Sequence, residues 1–444
     1  MPAESPAAAV GETGFLSAVR GYLKPRLLII FLMGFVSGLP LLLSGPTLQI
    51  WLTEAGVSLA TVGLFALVGL PYTVKLLWAP LIDRVPVPVL SHLLGRRRGW
   101  MVTLQVLLIA SIVALGASDP IGAPEMTALL ALVVAFFSAS QDIVIDAYRI
   151  EILDEAEQGQ GAAMTQAGYR VGLIAAGAGA LYMAEAMPWS LVYGAMAALV
   201  LVGLAVALVA PEPPAGETPE AMTLAEWLDA TVVEPFAEFF RRSGVQVALT
   251  ILVFILLYKL GDAFAGVMAN PFYIKIGFSK TEIASVSKVF GVVATLFGVF
   301  LGGAMVNRYG VLKSLLWCGL CQMFSNLMFA AQAVVGPDVA FLFLTIGIEN
   351  LSAGLGSAAF VAYLSMLCNI HYTGTQYAAF TSFMAFGRTT LSAPTGYLVE
   401  ATGWVTFFVA STVVAVPGLL LLMWMIRRLP MDRQGGRVGG MQTP

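Results

Sequence analysis

Apolar runs of roughly 20 residues, each long enough to cross a bilayer as a helix, recur along this chain with short polar breaks between them. They fall at 27–50, 59–81, 101–117, 126–148, 162–184, 191–210, 247–273, 283–306, 312–335, 339–367, 376–399 and 405–426, about twelve spans in all. Within hydrocarbon a backbone must satisfy its own hydrogen bonds, which a helix does inside a single segment. Of the 444 residues 11% are charged, against about 25% in an ordinary soluble domain, and mean hydropathy is +0.86. No soluble core could hold so much apolar surface, so the chain reads as an all-α polytopic membrane protein. A net charge of −3 gives no case for nucleic acid as a partner.

Residues 1–25 are small and polar, without a charged-then-apolar leader, and are expected to form a cytoplasmic tail. Arg84 and Arg96 to Arg98 follow the second span, Arg241 and Arg242 the sixth, Arg308 and Lys313 the eighth, and Arg427 and Arg428 the last. The alternate loops are mainly acidic, so the positive-inside rule places both termini in the cytoplasm. A break at Pro211-Glu212-Pro213-Pro214 divides the helices six and six: bundles at 26–210 and 246–427, a linker at 211–245 and a tail at 428–444. In the linker, Thr223 to Glu226 reads as a capping box. Leu224, Trp227, Leu228, Val232, Phe236, Phe239 and Phe240 then suit either a segment lying on the membrane or a simple tether.

The halves echo each other. Gly56-Val57-Ser58 precedes the second span and Gly277-Phe278-Ser279 the eighth; the same spans end in Asp83-Arg84 and Asn307-Arg308. Two six-helix repeats holding a substrate between them is the logic of the major facilitator architecture. Asp83-Arg84 followed by Gly95-Arg96-Arg97-Arg98 resembles the loop signature of that superfamily, with an insertion, and the second copy carries Asn307 where aspartate is usual. These loops are candidate conformational switches. Gly34/Gly38, Gly168/Gly172 and Gly298/Gly302 lie one turn apart and would let helices approach closely. Pro40 and Pro71 mark expected kinks.

Ionisable residues inside the spans carry the functional signal, because a charge at membrane depth costs several kcal/mol unless it faces protein, water or a partner. Asp142 and Asp146 share a helix face one turn apart, with Arg149 beyond. Two close carboxylates resist joint ionisation, which suits proton coupling; the plainer reading for Asp146 is anchoring by Arg149. Lys259 and Asp262 form either an intrahelical ion pair or a cationic and an anionic contact for a polar ligand. Arg170 and Arg388 occupy corresponding spans of the two halves and suit bidentate capture of a carboxylate, or else pair with Glu349 or a fourth-span aspartate. Lys75 and Lys288 lie nearer span ends, where a long side chain can reach the interface. Tyr169 and Tyr258 lie at the same depth and could stack on a sugar. Cys318-x-x-Cys321 reads as packing rather than a redox pair, and His92 and His371 form no metal site. No phosphate-binding G-x-x-x-x-G-K-[ST] loop exists, so no nucleotide motor and no cofactor is expected.

Phe35-Val-Ser-Gly38-Leu-Pro40, Gly95-Arg-Arg-Arg-Gly-Trp100, Ser138-Ala-Ser-Gln-Asp142-Ile-Val-Ile-Asp146-Ala147, Gly168-Tyr-Arg-Val-Gly172, Leu257-Tyr-Lys-Leu-Gly-Asp262-Ala-Phe264 and Ser357-Ala-Ala-Phe360-Val-Ala362, with Asn369, Gln376 and Gly387-Arg388, together resemble the AmpG family of muropeptide permeases across nearly all spans. The resemblance implies import of N-acetylglucosaminyl-anhydro-N-acetylmuramic acid and its peptides across the bacterial inner membrane for cell-wall recycling. It also implies proton drive and a role, in some bacteria, in β-lactamase induction. A monomeric transporter is expected, not an enzyme, with Asp142 and Asp146 carrying the proton. Arg170, Lys259, Asp262, Glu349, Arg388, Tyr169 and Tyr258 would bind substrate. Related transporters of acetyl-CoA offer an alternative cargo. An intramembrane transferase holding Mg²⁺ on Asp142-x-x-x-Asp146 is a remote one, lacking a second acidic motif.

Overall fold

The computed structural model describes residues 23–154, 157–214, 233–368 and 373–428, with positions 223, 226 and 229 of the linker. The side chains of Asp83 and Arg84, and the sequence-stretch residues Leu224, Trp227, Leu228, Val232, Asn369 and His371, lie outside the described residues. Among those described, every regular element is helical. The helices group into twelve spans: α1 Pro25–Ala55, α2 59–84, α3 Arg96–Gly116, α4 Pro124–Ile152, α5 158–186, α6 Trp189–Val209, α7 Val245–Ile276, α8 Lys280–Tyr309, α9 Val311–Val335, α10 Val339–Leu367, α11 373–402 and α12 Trp404–Arg428. Nine of them are long and apolar enough to cross a membrane on that ground alone. The other three, α2, α5 and α11, are segmented by 3₁₀ turns, a π turn or a break.

The repeated Gly-x-Ser triplets have the same job in both halves. Gly56 and Gly277 adopt left-handed φ values of 91° and 105°. The next amide closes the helix behind it, Val57 onto the Leu52 carbonyl at 3.0 Å and Phe278 onto Tyr273 at 3.0 Å. This is a Schellman end, and glycine enters it without a Cβ penalty. The serine then caps the next helix: Ser58 Oγ accepts from the Thr61 amide at 3.2 Å, and Ser279 Oγ from Glu282 at 3.2 Å. A chain that must reverse at the bilayer surface does so within three residues.

The glycine pairs bring backbones into contact. A Cβ on Gly34 or Gly38 of α1 would strike the carbonyls of Thr165 or Tyr169 in α5, and one on Gly168 or Gly172 would strike Phe31 or Phe35 of α1. The second half repeats this between α8 and α10, where Gly298 abuts Leu351 and Gly354 abuts Thr295. Each half has its own apolar core, and a third cluster, built on Phe272, Phe329 and Phe408 and joined by Ile50, Ala178 and Leu181, bridges the halves. That bridge lies at what we call the distal end, opposite the proximal end where α1 begins and α12 finishes.

The linker begins as an extended segment at Pro211 and ends in a helix, Glu234–Ser243. The expected capping box forms, with Thr223 N donating to Glu226 at 2.6 Å and Glu226 N to Thr223 Oγ1 at 3.2 Å. The described part of the apolar face packs on protein. Phe239 is 1% exposed and packs edge-on against Phe380, while Arg242 donates to the Leu367 carbonyl at 2.6 Å, closing the end of α10.

Gly38→Val should separate α1 from α5. Forced overpacking of this kind costs about 1–3 kcal/mol, so a lower thermal midpoint of the detergent-purified protein is expected. An unchanged midpoint would show that the glycine contact is dispensable.

Candidate functional site

The first helix of each half breaks within its span. The first span stops at Leu43, turns through Ser44 and Gly45, and resumes at Pro46; its kink follows Pro40, whose carbonyl accepts from the amide of Ser44 at 2.9 Å and from its hydroxyl at 2.9 Å. The seventh breaks at Lys259, whose φ and ψ of −100° and 1° are not helical. Between these breaks, and between the halves, lies a cavity of about 300 Å³. Its wall takes Ser44, Gly45 and Gln49 from α1, Gly69 and Tyr72 from α2, Asp262 and Gly266 from α7, and Arg388, Thr389 and Ser392 from α11. Irregular backbone at membrane depth is tolerated where it lines a cavity.

Asp262 and Arg388 therefore share this wall, near enough for their charges to interact. Lys259 stands beside Asp262 at 3.3 Å and also donates to Gln322 Oε1 at 3.1 Å. The intrahelical ion pair is real, and its carboxylate still faces the cavity. Tyr258 is placed differently from its sequence-based role. It is 6% exposed, stacked on Phe360 at 5.3 Å, and its hydroxyl donates to the Leu315 carbonyl at 2.9 Å, so it belongs to the core of the second half. Glu349 accepts from Asn350 Nδ2 at 2.6 Å rather than pairing with an arginine. Arg170 is exposed and, among the described residues, makes no ion pair; Tyr169 beside it is partly buried, with its backbone against Gly38.

The fourth-span carboxylates separate by environment. Asp142 is held by Ser37 Oγ, which donates to it at 2.6 Å, and by Lys75 Nζ at 3.6 Å. Asp146 has a side chain 57% exposed and stands 4.0 Å from Arg149, as its plainer reading expects. The expectation for Lys75 is overturned: it turns inward to a carboxylate, because α2 packs along α4 and offers a partner nearer than the interface. Lys288 also turns inward, donating to Asn270 Oδ1 at 2.7 Å. Nothing in the sequence around Lys75 names Asp142, 67 positions away, as its partner, although both stand at helix faces within apolar spans.

At the proximal end, Arg97 is 5% exposed and grips Glu151 with Nη2 at 2.5 Å and Nε at 3.0 Å, joined by Arg96 at 3.3 Å. Glu212 accepts from the amides of Arg97 and Arg98 at 2.8 and 3.1 Å, closing the start of α3 with a linker carboxylate. Sequence reading missed both glutamates. Asn307 and Arg308 are exposed and, among the described residues, enter no such cluster; Arg308 lies over the Tyr309 ring at 5.7 Å.

Contacts between halves gather at the distal end. Glu54 of α1 takes Lys280 of α8 at 2.5 Å and Trp189 Nε1 at 2.7 Å, and Glu400 of α11 accepts from the Ala60 amide at 3.0 Å. Tyr182 meets Ser285 at 2.7 Å, and Gly63 and Gly396 let α2 and α11 touch. These contacts draw the two halves together at that end.

A family model described as the Major Facilitator Superfamily matches residues 30–261. The chain is 40% identical over 407 residues to the anhydromuropeptide permease of Escherichia coli, covering 91% of this chain and 80% of that one. It is 35% identical to putative transporter AmpG 4 of Rickettsia conorii, over 90% and 96% of the two chains. Among solved structures a D-xylose–proton symporter superposes with a TM-score of 0.64 over 92% of this chain and 98% of that one; at 15% identity this is a likeness of fold alone.

Glu54→Ala should loosen the distal contacts. With Cys318, Cys321 and Cys368 made serine, a cysteine introduced at the cavity-lining Ala66 should react with a polar maleimide about threefold to tenfold faster, since a partly exposed charged contact is worth on the order of 1 kcal/mol. An unaltered rate would mean that this contact does not hold the end shut.

Proposed function

Because the chain belongs to the major facilitator superfamily and, within it, to the family of the anhydromuropeptide permeases, we propose that it imports anhydro-muropeptides from periplasm to cytoplasm, driven by the proton gradient. The chain is a multi-pass membrane transporter and not an enzyme. The observation that carries the reading is the cavity between the halves, where helix breaks and two opposite charges meet in otherwise apolar spans. Arg388 presents a guanidinium fork to a carboxylate of the cargo. Asp262, held in place by Lys259, accepts hydrogen bonds from sugar hydroxyls or amides. Arg170 and Glu349 would serve only in another conformation, since here neither lines the cavity.

Orientation follows the basic loops, which put the proximal end and both termini in the cytoplasm of the inner-membrane protein. With the halves drawn together at the distal end, the structure then corresponds to an inward-facing state. Asp142 is the proton carrier of this reading. Its charge is balanced by Lys75 and bonded by Ser37, so protonation removes the attraction that holds α2 to α4 and changes the packing of the first half. Asp146, exposed and near Arg149, is the proximal neighbour through which the proton leaves. The transporter works as a monomer in this reading, each half supplying one wall.

In proteoliposomes, Asp142→Asn should still exchange labelled anhydro-muropeptide but lose stimulation of uptake by an acidic exterior. Wild-type acid stimulation in that variant would sink the coupling assignment. Arg388→Ala should weaken uptake of cargo bearing free carboxylates by about tenfold to a hundredfold, the value of a lost charge-assisted bond. Competition by unlabelled cargo, with acetyl-CoA as the contrasting candidate, reads the substrate class directly: displacement by acetyl-CoA alone would overturn it.

A further inference from the structure

Three helices of the first half place polar side chains on facing surfaces at regular intervals. Tyr72 and Lys75 of α2 lie three residues apart and Ser138 and Asp142 of α4 four apart, so each pair shares a helix face. Ser37 and Ser44 of α1 stand seven apart, again on one face. The result is a ladder of two rungs. The lower rung is Ser37, Asp142 and Lys75, joined at 2.6 and 3.6 Å. The upper rung is Ser44, Tyr72 and Ser138, the next positions along the same three faces. Ser44 and Tyr72 also line the central cavity, so the upper rung opens on it and the lower does not.

The upper rung carries an unusual feature. The Tyr72 hydroxyl and Ser138 Oγ are buried, yet neither completes a hydrogen bond, and Ser138 is 0% exposed. A buried hydroxyl left unbonded is costly, and such groups in native proteins call for a functional or structural reason. Each hydroxyl here can donate one proton and accept another, which a carbonyl or an ammonium at the same place could not do.

We propose that Tyr72 and Ser138, with Ser44 beside them, form the proton route between the central cavity and Asp142. This rests on Asp142 as the coupling carboxylate. A proton delivered from water in the cavity binds Tyr72 Oη as the tyrosine releases its own to Ser138 Oγ. Ser138 in turn gives up a proton to the Asp142 carboxylate, one helical turn along the same face of α4. One proton enters and one arrives, and no redox partner takes part. The charged and titratable groups facing this path are Lys75 from α2, Asp146 from α4, Tyr169 from α5 and, across the cavity, Asp262 and Arg388. Lys75 pairs with the ionised Asp142 until an arriving proton neutralises the carboxylate, after which the attraction that holds the ammonium there is lost.

Ser138→Ala tests the route, because Ser138 is remote from the cavity wall and loses one small hydroxyl. In full-length protein reconstituted with labelled anhydro-muropeptide, counterflow at equal pH should stay within about twofold, while acid-driven uptake falls about a hundredfold or more, the lower end for loss of a proton-transfer group. Tyr72→Phe should lower the same ratio of acid-driven uptake to counterflow. Equal loss of both activities in the two variants, or loss of neither, overturns the route. Asp142→Asn in the same assay separates the two levels. Retained acid drive there removes the coupling carboxylate and the route with it; lost acid drive there, with coupling intact in both hydroxyl variants, overturns the route alone.

Discussion

A backbone inside hydrocarbon must find every hydrogen bond within its own helix, and this protein departs from that requirement at only a few described places inside its spans. The turn at Ser44–Gly45 and the break at Lys259 lie in the first helix of each half, and the Ser392–Pro394 interruption lies in α11. All three meet at one cavity. The constraint thus links sequence to site: Pro40, Gly45 and Pro394 interrupt helices where the cost is met by a polar wall, and the charges Asp262 and Arg388 sit on that wall. α2 departs as well, at Val74 and Trp78, whose φ values of −112° and −120° leave the helical range on either side of a short 3₁₀ turn.

Close approach is the second condition. Helices in lipid gain little from excluding water, so packing must come from contact, and small residues permit it. The glycine pairs of α1 with α5 and of α8 with α10 are the same solution in both repeats. Since α1 is clamped to α5 along its proximal half, its distal half, beyond the Ser44–Gly45 turn, is the portion left to pack on the other bundle. Gln49 there meets Asn270 at 3.4 Å, and Glu54 meets Lys280.

Features governed by neighbours in sequence were legible in advance. The Gly-x-Ser reversals, the capping box, the spacing of the glycines and the count of spans depend on residues within a turn or two of each other. The ion pair of Lys259 with Asp262, three residues apart, was legible for the same reason. Pairings between helices were not. Lys75 looked like an interfacial lysine because its own stretch is near a span end, and only the packing of α2 on α4 reveals Asp142. Glu151 and Glu212 looked like loop acids; the fold carries them to Arg97 and to the open amides of α3. Tyr258 erred in the other direction, since depth in the membrane does not distinguish a cavity wall from a core. The linker phenylalanines show the same ambiguity: an amphipathic face states that something apolar covers it, not whether that is lipid or Phe380.

The repeats also diverge where symmetry would have predicted likeness. Arg96 and Arg97 have Glu151 to hold, while Asn307 and Arg308 stand exposed without a matching cluster among the described residues. At the breaks the difference is reversed: α7 carries Lys259 and Asp262, whereas α1 carries the uncharged Ser44 and Gly45. The charge of the first half lies deeper within its own bundle, as Asp142 between α1, α2 and α4. A single site serving cargo and proton alike would need one carboxylate to meet both. Dividing the charges lets the cavity face remain available to cargo while neutralisation of Asp142 acts on packing within one bundle. Such a division works only if something joins the two places. The helices that could do so are α1 and α2, since they alone contribute to the Asp142 pocket and to the cavity wall together.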